Sequence, residues 1–343
     1  MLSNISTADA ALMANHYHQV FTKIRASKGV FDEAFTLELF QFQAEHNVVY
    51  KTYLKALKRD VQQIKRLEDI PFLPISFFKN HSVKSWDFEA EVVFSSSGTT
   101  GVERSQHFLQ QSTLYDQVCE QLFESSYGTV SDWVILALLP AYLERDGSSL
   151  IHMVDFLIRK SGHEESGFFL YDTTLLRQRY LQAKAAGKKV LLLGVSFALL
   201  DLAESNSIQL KPEDVVMETG GMKGRRKELV REELHAILCA GLGSARIHSE
   251  YGMTELLSQA YSQGEGIYQA APWMKVLIRD INDPFRYLEN GRTGGINIVD
   301  LANIDSCAFL QTQDLGRKST ENTFEVLGRF DHSDLRGCNL LVI

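Results

Sequence analysis

Phe94-Ser95-Ser96-Ser97-Gly98-Thr99-Thr100-Gly101 is the stretch from which the chain is best read. It follows Val92-Val93-Phe94, a short apolar run that reads as a strand. Two glycines allow close backbone approach, and the hydroxyls add hydrogen-bond donors. Such a loop can wrap a polyphosphate with inward-facing N–H groups. It is not a Walker loop, because no Gly-Lys-Ser/Thr follows. On composition alone, a solvated linker of small polar residues is the better reading.

Outward from this loop, strands and helices alternate. Residues 7–67 carry helical apolar spacing (Phe35, Leu39, Phe42) and no proline, which predicts an N-terminal helical layer over residues 1–70. Pro71 and Pro74 then hold an extended connector. Residues 71–343 read as an α/β core, the whole forming one integrated domain. Helices are expected over 113–125, 149–159, 173–186, 196–205 and 227–239. Strands are expected over 133–139, 189–193, 215–218 and 245–248. The 133–139 run, Trp-Val-Ile-Leu-Ala-Leu-Leu, suits a strand buried on both faces. Residues 253–260 read as a short turn or helix, and the remainder from Trp273 as short strands with Gly and Asn turns.

Bulk properties exclude several classes. The 343 residues are 45% hydrophobic, enough for a sizeable core. A net charge of -8 argues against nucleic-acid binding, which needs a basic footprint. The four cysteines, Cys119, Cys239, Cys307 and Cys338, form no CxxC pair, so neither a disulfide framework nor structural zinc is expected. No apolar run is long enough for integral membrane association, and residues 1–16 lack a signal-peptide pattern. A soluble protein of a reducing, cytoplasmic compartment is the expectation.

Three further constellations bear on function. His248-Ser249-Glu250-Tyr251-Gly252-Met253-Thr254-Glu255 ends a strand with a hydroxyl and a carboxylate that can serve a phosphate and its Mg²⁺. In isolation, Thr254 as a helix N-cap with Glu255 in the first turn is the better reading. Glu218-Thr219-Gly220-Gly221 offers close backbone approach to a flat ligand, or only a tight turn. Asp314-Leu315-Gly316, Gly328-Arg329-Phe330-Asp331 and Arg336-Gly337-Cys338 lie near the end; solvated turns and a small packed cysteine are the bland readings.

The order and spacing of these motifs resemble the paired signature of adenylate-forming enzymes, the superfamily of acyl-CoA synthetases, firefly luciferase and peptide-synthetase adenylation domains. Asp314 resembles its ribose-binding aspartate, and 328–331 its hinge motif. Ile70-Pro71-Phe72-Leu73-Pro74, Leu139-Pro140-Ala141-Tyr142-Leu143-Glu144-Arg145 and the Arg336-Gly337-Cys338 ending resemble the acyl-protein synthetase (LuxE-type) branch, which is related to phenylacetate-CoA ligase. That branch activates fatty acids for the bacterial bioluminescence reductase. The resemblance covers nearly the whole chain. It implies the large N-terminal domain of that fold, with mixed sheets layered with helices. The small mobile C-terminal domain and its catalytic lysine would be missing, since the sequence stops at Ile343. Lys79 and Lys223 are weak substitutes.

The resemblance also implies roles. Ser95, Ser96, Ser97, Gly98, Thr99, Thr100 and Gly101 would embrace the ATP phosphates. Gly220 and Gly221 would flank the adenine, and Tyr251, followed by Gly252, would stack on it. Thr254 would contact the α-phosphate, Glu255 would bind Mg²⁺, and Asp314 with Arg329 would hold the ribose. A carboxylic acid, expected to be fatty, would become acyl-AMP. The acyl group would pass to Cys338 as a thioester and then to an acyl-accepting reductase or carrier protein. An acyl-CoA ligase, or an acyltransferase without the covalent step, is the alternative. A second alternative is a serine esterase: Gly194-Val195-Ser196-Phe197-Ala198 approaches a nucleophile elbow, with Asp214 and His235, His248 or His332 completing a triad.

Overall fold

The computed structural model describes Val20, Thr22 and residues 31–96, 103–140, 147–220 and 229–330. The N-terminal layer includes α1 (Glu33–His46) and α2 (Val48–Ala56). Asp32 caps the first by accepting from Phe35 N at 2.8 Å, satisfying a donor that has no partner inside the helix. Asn47 lies between the helices. Its carbonyl oxygen accepts from Tyr50 N, and its amide donates to the Ser306 carbonyl at 2.8 Å. One side chain thus starts α2 and fastens the layer to the distant chain.

Gln43 makes a second fastening. It is fully buried, donates to Ser85 Oγ at 3.0 Å and to the Asn303 carbonyl at 3.1 Å, and accepts from Ala308 N at 2.9 Å. Phe40, Tyr50 and Phe72 pack on Phe309 around these bonds. The helical layer and the rest share one hydrophobic core.

The strands are β1 (Leu73–Pro74), β2 (Val92–Ser95), β3 (Gln106–Leu109), β4 (Trp133–Leu138), β5 (Gly167–Phe168), β6 (Lys189–Gly194), β7 (Val215–Glu218), β8 (Ile247–Tyr251), β9 (Ala260–Ser262), β10 (Ile267–Gln269), β11 (Met274–Arg279), β12 (Gly294–Asp300), β13 (Phe309–Lys318) and β14 (Thr323–Arg329). Strands β2 and β3 form a separate antiparallel hairpin. The others make one sheet in the order β11-β12-β13-β14-β10-β9-β8-β7-β6-β4-β5, with β1 added parallel to β13. From β5 through β4, β6 and β7 to β8 all neighbours are parallel; from β8 to β9 onward along the order they are antiparallel.

Helices α3 (Phe77–Asn80), α4 (Ser112–Tyr127), α5 (Ser149–Ser161), α6 (Thr173–Ala185), α7 (Ser196–Ser205) and α8 (Arg231–Leu242) follow, with short 3₁₀ turns at Val61–Gln63, Leu67–Asp69 and Val130–Asp132. All six residues of β4 are buried, as a strand covered on both faces requires. This is the mixed α/β fold the sequence implies, but with shifted boundaries. The helix expected over 227–239 runs Arg231–Leu242, with residues 229–230 extended. The strand expected over 245–248 runs Ile247–Tyr251, so Tyr251 is a strand residue. After it, 253–255 form a turn and not a helix.

Arg279 braces the antiparallel half. Its guanidinium is 5% exposed and donates to the Ile296 carbonyl (2.7 Å), Asn297 Oδ1 (2.9 Å) and the Thr312 carbonyl (2.8 Å). It fits because Gly295 has no side chain: a Cβ there would meet the guanidinium. Arg279→Lys keeps the charge but has fewer donors in the wrong geometry. The expected cost is about 2 kcal/mol in a urea titration, since buried acceptors lose partners.

Candidate active site

Strand β8 is the switch between parallel and antiparallel pairing, and ligands in open α/β sheets bind beyond the carboxyl ends of strands at such points. Tyr251 stands at that end. Its hydroxyl donates to Asp314 Oδ2 at 2.8 Å, and Arg329 Nε donates to Asp314 Oδ1 at 3.3 Å. Asp314 on β13 and Arg329 on β14 are register partners. Three residues separated by up to 78 positions are thus joined at one carboxylate. Asp314 is buried, while the Arg329 side chain is 77% exposed and faces water. Tyr251 packs on Tyr268 and edge-on to Phe324. Burial, reinforced by the Asp314 charge, pushes its phenol well up, so it stays a donor.

Thr254 and Glu255 sit in the turn after β8. No helix begins there, so the capping reading of these residues falls away. The turn is held on both sides. His107 Nδ1 donates to the Thr254 carbonyl at 2.8 Å, and Asn303 donates to the Glu255 carbonyl at 2.8 Å. Beyond it, the fully buried Asp300 accepts from Leu257 N, Ser258 N, Ser258 Oγ and Ala302 N. The Glu255 side chain is buried. Burial raises its carboxyl above the usual range, opposed by a Ser105 hydrogen bond and the charges of Arg329 and Lys79.

Ser105 connects this turn to the opening stretch. Its N–H donates to Ser96 Oγ at 3.0 Å, and its carbonyl accepts from Ser96 N at 3.1 Å. Ser95 N donates to the Gly147 carbonyl at 2.6 Å. Gly147 has φ +76°, and a Cβ there would lie 2.7 Å from Ser95 Oγ, so only glycine permits this approach. The base of the hydroxyl loop therefore meets both Glu255 and Gly147. Ser97, Gly98, Thr99, Thr100 and Gly101 lie outside the described residues, as do Gly221, Lys223 and Cys338.

Gly220 (φ +62°) donates its N–H to Glu218 Oε2 at 2.8 Å. Burial works against the Glu218 charge, but His235 and the Gly220 N–H outweigh it and hold the carboxyl below its usual range. His235 Nε2 lies 3.8 Å from Glu218 Oε1, beyond hydrogen-bond reach, so its effect is that of a nearby ring and not a made bond. This carboxylate also occupies the serine that the esterase reading needs. Ser196 is 2% exposed and donates to Glu218 Oε2 at 3.2 Å. Asp214 is engaged by Lys184 and Tyr180, and His248 by Tyr127. No described histidine bonds to Ser196, and His332 lies outside the described residues.

Sequence reasoning passed over His107, Ser105, Glu218 and Asp300 as functional supports. The signal available was weak: His107, Glu218 and Asp300 are single polar residues beside apolar runs, and Ser105 lies in a polar stretch. Among described cysteines, burial pushes every thiol up, Cys307 to about 12. No described group of three or more His, Cys, Asp or Glu could hold a metal by itself. No helix among the described residues is long and apolar enough to cross a membrane.

No family model matches the sequence, and no curated protein matches it. Solved structures do. ATP-bound MatB from Rhodopseudomonas palustris aligns with TM-score 0.52 and 18% identity over 69% of this chain and 47% of its own. A 2-hydroxyisobutyryl-CoA ligase in complex with 2-HIB-AMP and CoA aligns with TM-score 0.62 and 12% identity, covering 87% of this chain and 74% of its own. A long-chain-fatty-acid-CoA ligase (FadD1) from Archaeoglobus fulgidus gives 0.51 and 16%, over 73% and 53%. The class defined is thus the fold of the large N-terminal part of adenylate-forming ligases. The chain spans about half the length of MatB.

His107 supplies a test of the turn's anchoring. It is fully buried, and burial lowers its ring to about 4 from an ordinary 6.5. Its neutral form therefore stabilises the fold fully above pH 6.5, and this is lost as pH falls toward 4. His107→Gln keeps a donor for the Thr254 carbonyl without titrating. Between pH 7 and 4 the wild type is expected to lose on the order of 3 kcal/mol relative to the variant in paired urea titrations.

Proposed function

We propose that the protein activates a carboxylic acid with ATP, forming acyl-AMP and pyrophosphate, and then transfers the acyl group to a thiol. The observation that carries the reading is the joining of Tyr251, Asp314 and Arg329 at one buried carboxylate, on a fold shared with acyl-CoA ligases. Asp314 is the ribose-hydroxyl acceptor, oriented by the Tyr251 hydroxyl and by Arg329, which assists. Tyr251 offers its ring to the adenine while its hydroxyl is committed to Asp314. Gly220 and Gly221 flank the other side, with the Gly220 turn fixed by Glu218. Ser95–Gly101 embraces the phosphates with backbone N–H groups and hydroxyls.

Thr254 contacts the α-phosphate, and Glu255 is the protein ligand for Mg²⁺. A buried carboxylate that belongs to no described group of three or more ligating side chains fits a metal that arrives on nucleotide phosphates and keeps most of its shell as phosphate and water oxygens. The substrate carboxylate attacks the α-phosphorus, a new O–P bond forms, and pyrophosphate leaves. The loop donors neutralise charge as it develops.

The acyl acceptor in this reading is Cys338. The described cysteines are disfavoured as thiolates by burial, whereas Cys338 follows Arg336-Gly337 in a polar segment, where a cation favours the reactive form. A reductase or carrier protein would then receive the acyl group. Direct transfer to coenzyme A is the second reading, and the fold shared with a ligase solved with CoA supports it.

Carboxylate-dependent exchange of labelled pyrophosphate into ATP tests the first step. Glu255→Gln is expected to lower exchange at least about a hundredfold with little change in thermal stability. Because burial raises the Glu255 carboxyl and Mg²⁺ needs it ionised, wild-type exchange should fall on acidification earlier than for an exposed carboxylate. Full exchange in Glu255→Gln would remove the metal role.

The second step is read by mass spectrometry of the intact protein after incubation with ATP, Mg²⁺ and acid. A hydroxylamine-labile adduct should map to Cys338, and Cys338→Ser should lose it while still releasing pyrophosphate. Unchanged transfer in Cys338→Ser would favour the coenzyme A reading.

A further inference from the structure

We infer that the acid activated here carries a hydrogen-bond donor, a hydroxyl or an amino group, which is bound by Glu250 and its buried neighbours; this deepens the adenylation reading and rests on it. Glu250 immediately precedes Tyr251 on β8, and strand alternation puts it on the opposite face from Ser249 and Tyr251. Across the ladder it is in register with Tyr261. A Cβ on Gly252 would lie 2.5 Å from Glu250 Oε1 and 3.5 Å from Gln259 Cγ, so the carboxyl, the glycine and the glutamine share one spot.

The surroundings are short of donors. No hydrogen bond or ion pair reaches the Glu250 carboxyl among the described residues. Gln259 is 3% exposed, and its Nε2 is spent on Tyr115 Oη (3.2 Å) and the Leu257 carbonyl (3.0 Å). That carbonyl can only accept, which fixes the amide orientation and leaves Gln259 Oε1 buried without a partner. Thr219 Oγ1 is also buried and unpartnered. The register that sets Glu218 opposite Ser249 brings Thr219 alongside Glu250. The Tyr115 hydroxyl donates to the Ser149 carbonyl at 3.1 Å. The half-buried Glu250 carboxyl thus accepts from no described residue, and Gln259 Oε1 and Thr219 Oγ1 are buried without partners, which is costly.

The chemistry selects the occupant. Glu250 keeps part of its surface open, yet the protein around it removes enough water, with Glu218 adding its charge, to push its carboxyl up to about 8. A phosphate is repelled by this pair. A plain hydrocarbon chain would leave every acceptor unmade. A donor-bearing group satisfies them. The place is contiguous with the activation centre: Tyr115 packs edge-on against Phe94, the residue that opens the hydroxyl loop, with ring centroids 4.9 Å apart. A carboxylate activated beside Thr254 would have its substituent near Glu250.

The test is binding and exchange measured together on the full chain. Four- and six-carbon acids are compared as unsubstituted, hydroxy- and amino-substituted forms, with the substituent at successive carbons. Affinity is read by calorimetry, and activation by pyrophosphate exchange. At least one substituted acid should bind about tenfold or more tighter than its parent. Glu250→Leu should abolish that preference while remaining folded in a urea titration. Glu250→Gln separates the sources, sparing a preference for hydroxyl and weakening one for an amino group, which needs the charge. Equal binding of parents and all substituted acids, no binding of any of them, or a preference intact in Glu250→Leu overturns the inference. Exchange with unsubstituted acids at undiminished efficiency overturns it while leaving the adenylation reading standing. Selective binding without exchange would do the reverse.

Discussion

Strand β8 has to pair parallel with β7 on one edge and antiparallel with β9 on the other. The rest of the structure follows from that requirement. On the parallel side, crossover helices cover both faces, so β4, β6 and β7 are nearly all apolar. On the antiparallel side, long strands return directly and bring β13 and β14 across the molecule. The carboxyl end of β8 lies where the two regimes meet. A residue at that end can therefore touch side chains from both halves, and Tyr251 reaches Asp314 for this reason.

The switch collects carboxylates. Glu218, Glu255 and Asp314 are buried there, and Glu250 is half-buried. Each is handled differently. Asp314 takes two donors and keeps an arginine at its open side. Glu218 is satisfied by a hydroxyl, a backbone N–H and a neighbouring imidazole. Glu255 is compensated in part by Ser105 and by charges not in contact with it. Buried charge without a partner is expensive. A graded series of compensation along one strand end therefore separates groups that hold the scaffold from groups left ready for ligand.

Much of the fold was legible. Helix α7 runs Ser196–Ser205 and strand β7 Val215–Glu218, both with the bounds the pattern implies, because each is a compact apolar run with clear punctuation. The β8 boundary was not legible: Ile247-His248-Ser249-Glu250-Tyr251 carries two polar residues and a histidine, which read as the end of a strand. They belong inside it because Ser249 and Glu250 serve the switch and not the core. The turn at 253–255 was ambiguous for a related reason. Thr254-Glu255 has capping chemistry, but Asp300, 45 residues on from Glu255, takes the backbone N–H groups that a helix would otherwise have used. Local sequence cannot show a partner at that separation.

The site shows the same division. Tyr251, Glu255, Asp314 and Arg329 were named through a resemblance carried by ordered motifs, and the structure brings Tyr251, Asp314 and Arg329 together. Their supports were not named. His107 lies on β3, at the foot of the hydroxyl loop, and its ring spans from the Thr254 carbonyl to Ser306 Oγ. Ser306 in turn accepts at its carbonyl from Asn47 and Ser85. A single buried chain of hydrogen bonds thus runs from the N-terminal helical layer, through the loop before β13, to the turn that carries Thr254 and Glu255. His107, Ser306, Ser85 and Asn47 are all buried, so the bonds among them compete little with water, and the turn's position is set by the packing of helices far along the sequence. The N-terminal layer is therefore part of what positions the turn, and the β2–β3 hairpin is held to that turn by the same histidine that rests on Ser306.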